Sequence, residues 1–129
     1  MDIEQVRVYC LSFPHATENV QWGNDLVFKI GSKMFAVVVL EGASKYCLSF
    51  KCSEEKFNEL IEEDGVDPAP YSARYHWVAL ERFNALSEKE LKTLLRKSYD
   101  LVFEKLSKKV KTELVEKKSK SSKASRKRR

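Results

Sequence analysis

The first apolar residues of the chain recur at the spacing of a helix. They lie three or four residues apart, the period that places side chains on one helical face, and they are Ile3, Val6, Cys10 and Phe13. Pro14 follows directly, and proline cannot continue a helix because it lacks an amide hydrogen. The pattern therefore predicts a first helix over residues 2–13.

Three segments of strand length come next, and they cover residues 18–22, 25–30 and 33–40. Gly23-Asn24 and Gly31-Ser32 separate them, and hairpin turns need residues that tolerate positive φ. These segments predict an antiparallel meander, which Lys45 to Lys51 extends by a fourth strand.

The middle of the chain predicts one helix and one further strand. Ser53 is placed as an N-cap, and the acidic residues that follow it suit the positive end of a helix dipole. That helix should end near Gly65. The prolines of residues 66–75 predict an irregular loop, and residues 76–80 predict a strand.

A long final helix begins at a capping box formed by Ser87 and Glu90. Its predicted buried face consists of Leu91, Leu94, Leu95, Val102 and Leu106. Apolar residues become rare from Ser107 onward, so we expect a folded domain over residues 1–106 and a basic, disordered tail over residues 107–129, its first part a frayed helical extension. The order of the elements predicts an α+β sandwich, with an antiparallel sheet and helices on one face.

The charge is divided unevenly along the 129 residues. Residues 1–104 hold 12 Lys and Arg against 17 Asp and Glu, whereas residues 105–129 hold 12 against two. The net charge of +5 therefore combines an acidic body with a strongly basic tail. Such an asymmetry suggests an anionic partner for the tail, although a solubility tail or a basic address signal is an equal alternative.

The sequence contains no pattern typical of catalysis or metal binding. Its four glycines are isolated, so no phosphate-binding glycine loop is present, and its two histidines have no metal-site spacing. The three cysteines form no CxxC pair, and they favour a reducing compartment. We therefore predict a cytoplasmic protein that is not an enzyme, with no cofactor, metal, membrane span or small-molecule substrate.

Strand alternation gives a lead to a binding surface. With a two-residue turn at Gly31-Ser32, one face should carry Leu26, Phe28, Ile30, Phe35, Val37 and Val39. Lys29 then lies on the other face, beside Val27, Met34 and Ala36. The same alternation places Lys45 and Lys51 with Lys29, and Lys33 lies at the hairpin tip. A lysine-rich sheet face suits a DNA backbone, but lysines also keep an open sheet face soluble.

Further candidate contacts lie outside these strands. Arg74 lies in the proline-rich loop, and its guanidinium suits phosphate. Trp22 and Trp77 are candidates for base stacking, with packing in the core as the alternative. The remaining candidate nucleic-acid contacts are the final-helix stripe Lys89, Lys92 and Arg96 and the tail residues Arg126, Lys127, Arg128 and Arg129.

Several segments resemble the MmcQ/YjbR family, in order, over about residues 1–110. They are Phe13 to Glu18, Gln21 to Gly23, Leu26 to Gly31, Lys33 to Ala36, Leu48 to Lys51, Pro68 to Tyr71, Ala73-Arg74, His76 to Val78, Glu90-Leu91 and Arg96 to Tyr99. The resemblance implies a CyaY-like (frataxin-like) fold and a double-wing DNA-binding motif, with the wings in the hairpin-rich segments.

The function predicted on these grounds is non-catalytic DNA binding through the phosphate backbone. The alternative is a protein-interaction or metal-handling module like the frataxins, which would use the acidic face of the second helix, with Glu54, Glu59 and Glu62. A cysteine-dependent enzyme using Cys10, Cys47 or Cys52 is a third, weaker hypothesis.

Overall fold

The computed structural model describes residues 1–40, 44–70 and 72–115. Within these residues, a six-stranded antiparallel sheet carries its helices on one face. The helices are α1 (Ile3–Leu11), α2 (Glu54–Leu60), α3 (Glu88–Glu104) and α4 (residues 108–115). The strands are β1 (Ala16–Gln21), β2 (Asp25–Ile30), β3 (Lys33–Val39), β4 (Leu48–Lys51), β5 (Val66–Pro68) and β6 (Trp77–Leu80), in the spatial order β1-β2-β3-β4-β6-β5. The predicted α+β class is confirmed.

The helices begin where the sequence predicts. The side chains of Asp2, Ser53 and Ser87 each accept a hydrogen bond from the backbone amide three residues later, which stabilises the first turn. All five residues of the predicted apolar stripe are buried, but Leu106 lies just beyond α3, because the helix ends at Glu104 and residues 105–107 separate it from α4. Together with Val6 and Cys10 of α1 and Leu60 of α2, the stripe residues pack on one face of the sheet and form the main core.

Two strand predictions were wrong. Residues 66–68 form β5, an edge strand against β6, rather than part of an irregular loop. An edge strand tolerates Pro68 because proline lacks only a hydrogen-bond donor, and one side of an edge strand needs none. β4 begins at Leu48 instead of Lys45, although Cys47 still bonds through its backbone to Val39 and Leu80.

A β-bulge in β3 changes which residues face the core. Phe28 pairs with Ala36, but the next residue, Lys29, pairs with Met34, so Phe35 is an extra residue on its strand. Phe35 and Ala36 are consecutive and both buried in the main core. The predicted alternation was therefore wrong beyond Phe35: Ala36 and Val38 face the helices, and Val37 lies on the opposite face, which we call the outer face.

The helix α4 packs on the folded domain. Val110 and Leu114 are partly buried against the main core, and the side chains of Leu106 and Val110 reach the β2–β3 turn, within 3.3 Å of where a Cβ on Gly31 would stand. The packed part of the chain therefore continues past residue 106, the predicted end of the folded domain.

We expect the double substitution Val110→Ala and Leu114→Ala to lower the free energy of unfolding by about 1–2 kcal/mol, because two half-buried side chains lose apolar contact. Val115 is 63% exposed on the same helix, so Val115→Ala should change stability by less than about 0.5 kcal/mol. Urea unfolding measures both. If the double variant and Val115→Ala change the free energy of unfolding equally, α4 does not unfold cooperatively with the rest of the domain.

Candidate nucleic-acid interface

One end of the sheet forms a groove with the C-terminal end of α3. The first residues of β3, the last residue of β4 and the first residue of β6 meet there. The cavity is about 440 Å³, and we call it the basic groove. It is lined by Lys33, Met34, Lys51, Tyr75, Trp77, Val102 and Lys105.

Three lysines line the basic groove, and the described part of the chain provides no carboxylate partner for them. Lys33, Lys51 and Lys105 form no ion pair with any carboxylate of the described residues. Burial, and then the nearby charge of Lys105, lowers the pKa of Lys51. An anion in the basic groove would relieve this repulsion, so the site is suited electrostatically to phosphate.

Lys51 is held in place at both its backbone and its side chain. Its Nζ donates a hydrogen bond of 2.7 Å to the backbone oxygen of Tyr75. Its backbone amide donates to the Oγ of Ser98, which is fully buried and in turn donates to the backbone oxygen of Phe35 at 2.6 Å. Ser98 therefore links α3 to β3 and β4 beyond the last pair of those strands, Ala36 with Phe50.

An exposed aromatic ring stands at the rim of the basic groove. Tyr75 belongs to a short 3-10 turn, Ala73–Tyr75, and is 52% exposed. The guanidinium of Arg74 lies 4.8 Å from the centre of the Tyr75 ring, in cation–π geometry. The predicted phosphate contact Arg74 is thus brought to the rim of the basic groove, next to an aromatic surface.

The lysines predicted on the sheet divide between two places. Lys29 lies on the outer face, directly across from Met34, and Lys51 lies across from Trp77. Lys45 is not among the residues that line the basic groove. Lys45 lies outside the strand and beyond the other end of β4, where its Nζ is 3.1 Å from Glu81 and 3.6 Å from Asp67. These carboxylates neutralise it.

The predicted basic stripe of α3 belongs to the helical layer. Lys92 pairs with Glu88 at 3.6 Å, and Arg96 pairs with Asp100 at 3.2 Å. Lys89 is exposed one turn earlier on the same helix. None of these three side chains lines the basic groove, so the fold separates the stripe from the groove lysines.

The two tryptophans have different surroundings. Trp22 is 67% exposed in the β1–β2 turn, which lies at the end of the sheet away from the basic groove. Trp77 is only 6% exposed and packs with Ala69 and Ala79 on the outer face. Trp77 thus acts mainly as a wall of the basic groove. The predicted tail contacts Arg126, Lys127, Arg128 and Arg129 lie outside the described residues.

Sequence reasoning missed Tyr75, Lys105 and Ser98 as parts of this site. By charge Lys105 belongs with the basic C-terminal residues, and Tyr75 falls in the predicted loop, so the sequence connects neither of them to residues near position 33. Ser98 carried a usable signal. It is a polar residue on the buried stripe of α3, between Leu95 and Val102, and a polar side chain there needs hydrogen-bond partners.

Two of the three cysteines, Cys10 and Cys52, are buried, and Cys47 is partly buried. All three are free. Burial raises the pKa of Cys10 to about 12 and that of Cys52 to about 11, and burial also raises the pKa of Cys47. Thiols with raised pKa values are weak nucleophiles at neutral pH because little thiolate is present.

The distribution of metal-binding side chains and the character of the helices bear on the alternatives. In residues 1–40, 44–70 and 72–115, no three His, Cys, Asp or Glu side chains come together as a metal site would require. The metal-handling alternative, with Glu54, Glu59 and Glu62, thus gains no support from the described residues. No helix among those residues has the length and apolar content that a membrane crossing needs.

The fold and the basic groove define the chain as a small two-layer α+β protein with a positively charged cleft at one end of its sheet. The family follows from comparison with known proteins, since the YjbR family model matches residues 11–101. The chain therefore belongs to the YjbR family, which confirms the resemblance found in its sequence. None of the curated proteins matches it.

Two solved structures share the fold. The crystal structure of the Deinococcus radiodurans protein DR2400, with a DUF419 domain, has a TM-score of 0.76 and 28% sequence identity, over 87% of this chain and 86% of that one. A protein from Pseudomonas syringae has a TM-score of 0.65 over 79% of this chain and 99% of that one. At 20% identity, the second likeness concerns the fold alone.

Proposed function

We propose that the protein binds DNA without catalysis, and that the basic groove holds part of the phosphate backbone. The observation that carries this proposal is the meeting of Lys33, Lys51 and Lys105 in one cavity without a described carboxylate partner. Lys29 and Arg74 flank the cavity and extend its positive charge. Each lysine that neutralises a phosphate releases counterions, so binding should weaken as salt is added.

The basic tail is proposed to add affinity that does not depend on sequence. Residues 105–129 carry a large excess of positive charge, and Lys105, the first of them, lines the basic groove. Phosphate contacts of this kind position a protein on DNA but read no bases. The free, high-pKa thiols support a non-catalytic role and a reducing location, which we propose to be the cytoplasm.

The test is DNA affinity of the full-length protein after neutralising the basic groove. The triple variant Lys33→Gln, Lys51→Gln and Lys105→Gln should weaken binding of labelled DNA about tenfold. It should also lower the slope of log affinity against log salt by about 2–3, since each phosphate contact contributes about 0.7–0.9. Fluorescence anisotropy across a salt series measures both quantities.

The matched control removes three charges from the helical layer, by Lys89→Gln, Lys92→Gln and Arg96→Gln. It has the same net charge as the groove variant, but two of its cations are already paired with carboxylates. We expect its affinity to fall less than about threefold. Equal losses in the two variants would show that only net charge matters and would overturn the groove as the DNA site.

A further inference from the structure

The basic groove has features that a phosphate site alone does not require. Its lining includes the apolar residues Met34 and Val102 and the largely buried Trp77. Its volume of about 440 Å³ lies in the range of pockets that enclose a small organic group. The outer surface of a DNA duplex presents phosphates to such a cavity, but it keeps its bases stacked inside.

The rim of the basic groove supplies a surface for a flat ring. Tyr75 is half exposed, and Arg74 lies against its ring at 4.8 Å. Aromatic rings backed by arginine are the surfaces on which proteins stack unpaired bases, while lysines beside them follow the backbone. The Nζ of Lys51 donates to the backbone oxygen of Tyr75, so the proposed phosphate-binding and stacking residues are direct neighbours.

We propose that the basic groove binds one nucleotide of single-stranded DNA, with its base stacked on Tyr75 and its phosphate among Lys33, Lys51 and Lys105. This inference rests on the proposed function and adds the strandedness of the DNA and the residue that contacts the base. Lys51 and Lys105 repel each other, and the phosphate relieves that repulsion. A base on Tyr75 excludes water from the apolar wall formed by Met34 and Val102.

The test uses the full-length protein and three labelled probes: a 12-nucleotide oligo-dT strand, a strand of equal length with abasic sites, and a 12-base-pair duplex. Tyr75→Leu should weaken binding of oligo-dT about tenfold and change duplex binding less than twofold. Tyr75→Phe keeps the ring and should bind like the parent protein. The parent should bind oligo-dT about tenfold more tightly than the abasic strand, and Tyr75→Leu should bind both equally.

Trp22→Leu is the matched control, since it removes an exposed aromatic ring at the other end of the sheet. This variant should bind each of the three probes with an affinity within twofold of that of the parent protein. A loss with Trp22→Leu but not with Tyr75→Leu would overturn the inference, and so would equal binding of oligo-dT and the abasic strand by the parent.

The two proposals fail in different ways. If the groove lysine variant binds every probe as the parent does, the proposed function fails and the single-strand inference falls with it. If that variant weakens every probe but Tyr75→Leu weakens none, the basic groove binds phosphate only, and the proposed function stands without the single-strand inference.

Discussion

Replacing Ser98 with alanine should lower the free energy of unfolding by about 2–4 kcal/mol. The Ser98 hydroxyl donates to the backbone oxygen of Phe35 and accepts from the backbone amide of Lys51. Alanine removes both bonds and leaves two backbone groups without partners, and each such buried group costs about 1–3 kcal/mol. Urea unfolding of the full-length protein measures the loss.

A second hydroxyl on the same helix provides the control for Ser98→Ala. Thr93 donates to the backbone oxygen of Lys89 on the exposed side of α3, where water can replace the side chain. Thr93→Ala should therefore change stability by less than about 0.5 kcal/mol. A loss below about 1 kcal/mol in Ser98→Ala would mean that the two backbone groups bond to each other or to a water molecule in the variant. Ser98 would then not be the link that holds Lys51.

The helices of this protein could be predicted from the sequence because their signals are local. A cap residue and its partner lie three positions apart, and the apolar stripe of α3 repeats within a few residues. The six-stranded sheet was harder to predict because pairing depends on distant residues. β5 illustrates this, since its three residues are a strand only because β6 lies beside them.

The basic groove could be predicted only in part, for the same reason. Lys33, Lys51 and Arg74 were singled out from strand alternation and residue chemistry. Lys105 is 72 positions beyond Lys33 in the sequence, and only the packing of α3 across the sheet brings the two into one cavity. The sequence also could not show that Lys45 differs from these lysines. In the fold, Lys45 forms ion pairs with Glu81 and Asp67.

The bulge at Phe35 has no local signal in the sequence, and it decides the orientation of β3. Alternation along residues 33–40 predicts Val37 in the core, whereas the structure places Val38 there at 0% exposure. The extra residue allows Val38 to face the core while Met34 and Val37, three positions apart, both lie on the outer face, where Met34 lines the basic groove. The bulge therefore links the packing of the core to the composition of the site.

Replacing Phe35 with alanine should cost about 3–5 kcal/mol of unfolding free energy, the usual range for a buried phenylalanine. Phe35 is fully buried, and its ring centre lies 5.5 Å from that of Tyr99 and 5.8 Å from that of Phe13. Its removal leaves a cavity between the sheet and α3 that these rings cannot fill without leaving their own contacts. Urea unfolding measures this loss.

The matched pair Val37→Ala and Val38→Ala tests the register that the bulge imposes. Both variants remove the same two methyl groups, from adjacent residues of β3. Val38 lies in the main core, so its variant should lose about 2 kcal/mol, while Val37 is half-buried on the outer face and its variant should lose about 1 kcal/mol or less. A larger loss at Val37 would mean that β3 alternates without a bulge. Phe35 would then be an ordinary core-facing strand residue, and Ala36 and Val38 would lie with Met34 on the outer face.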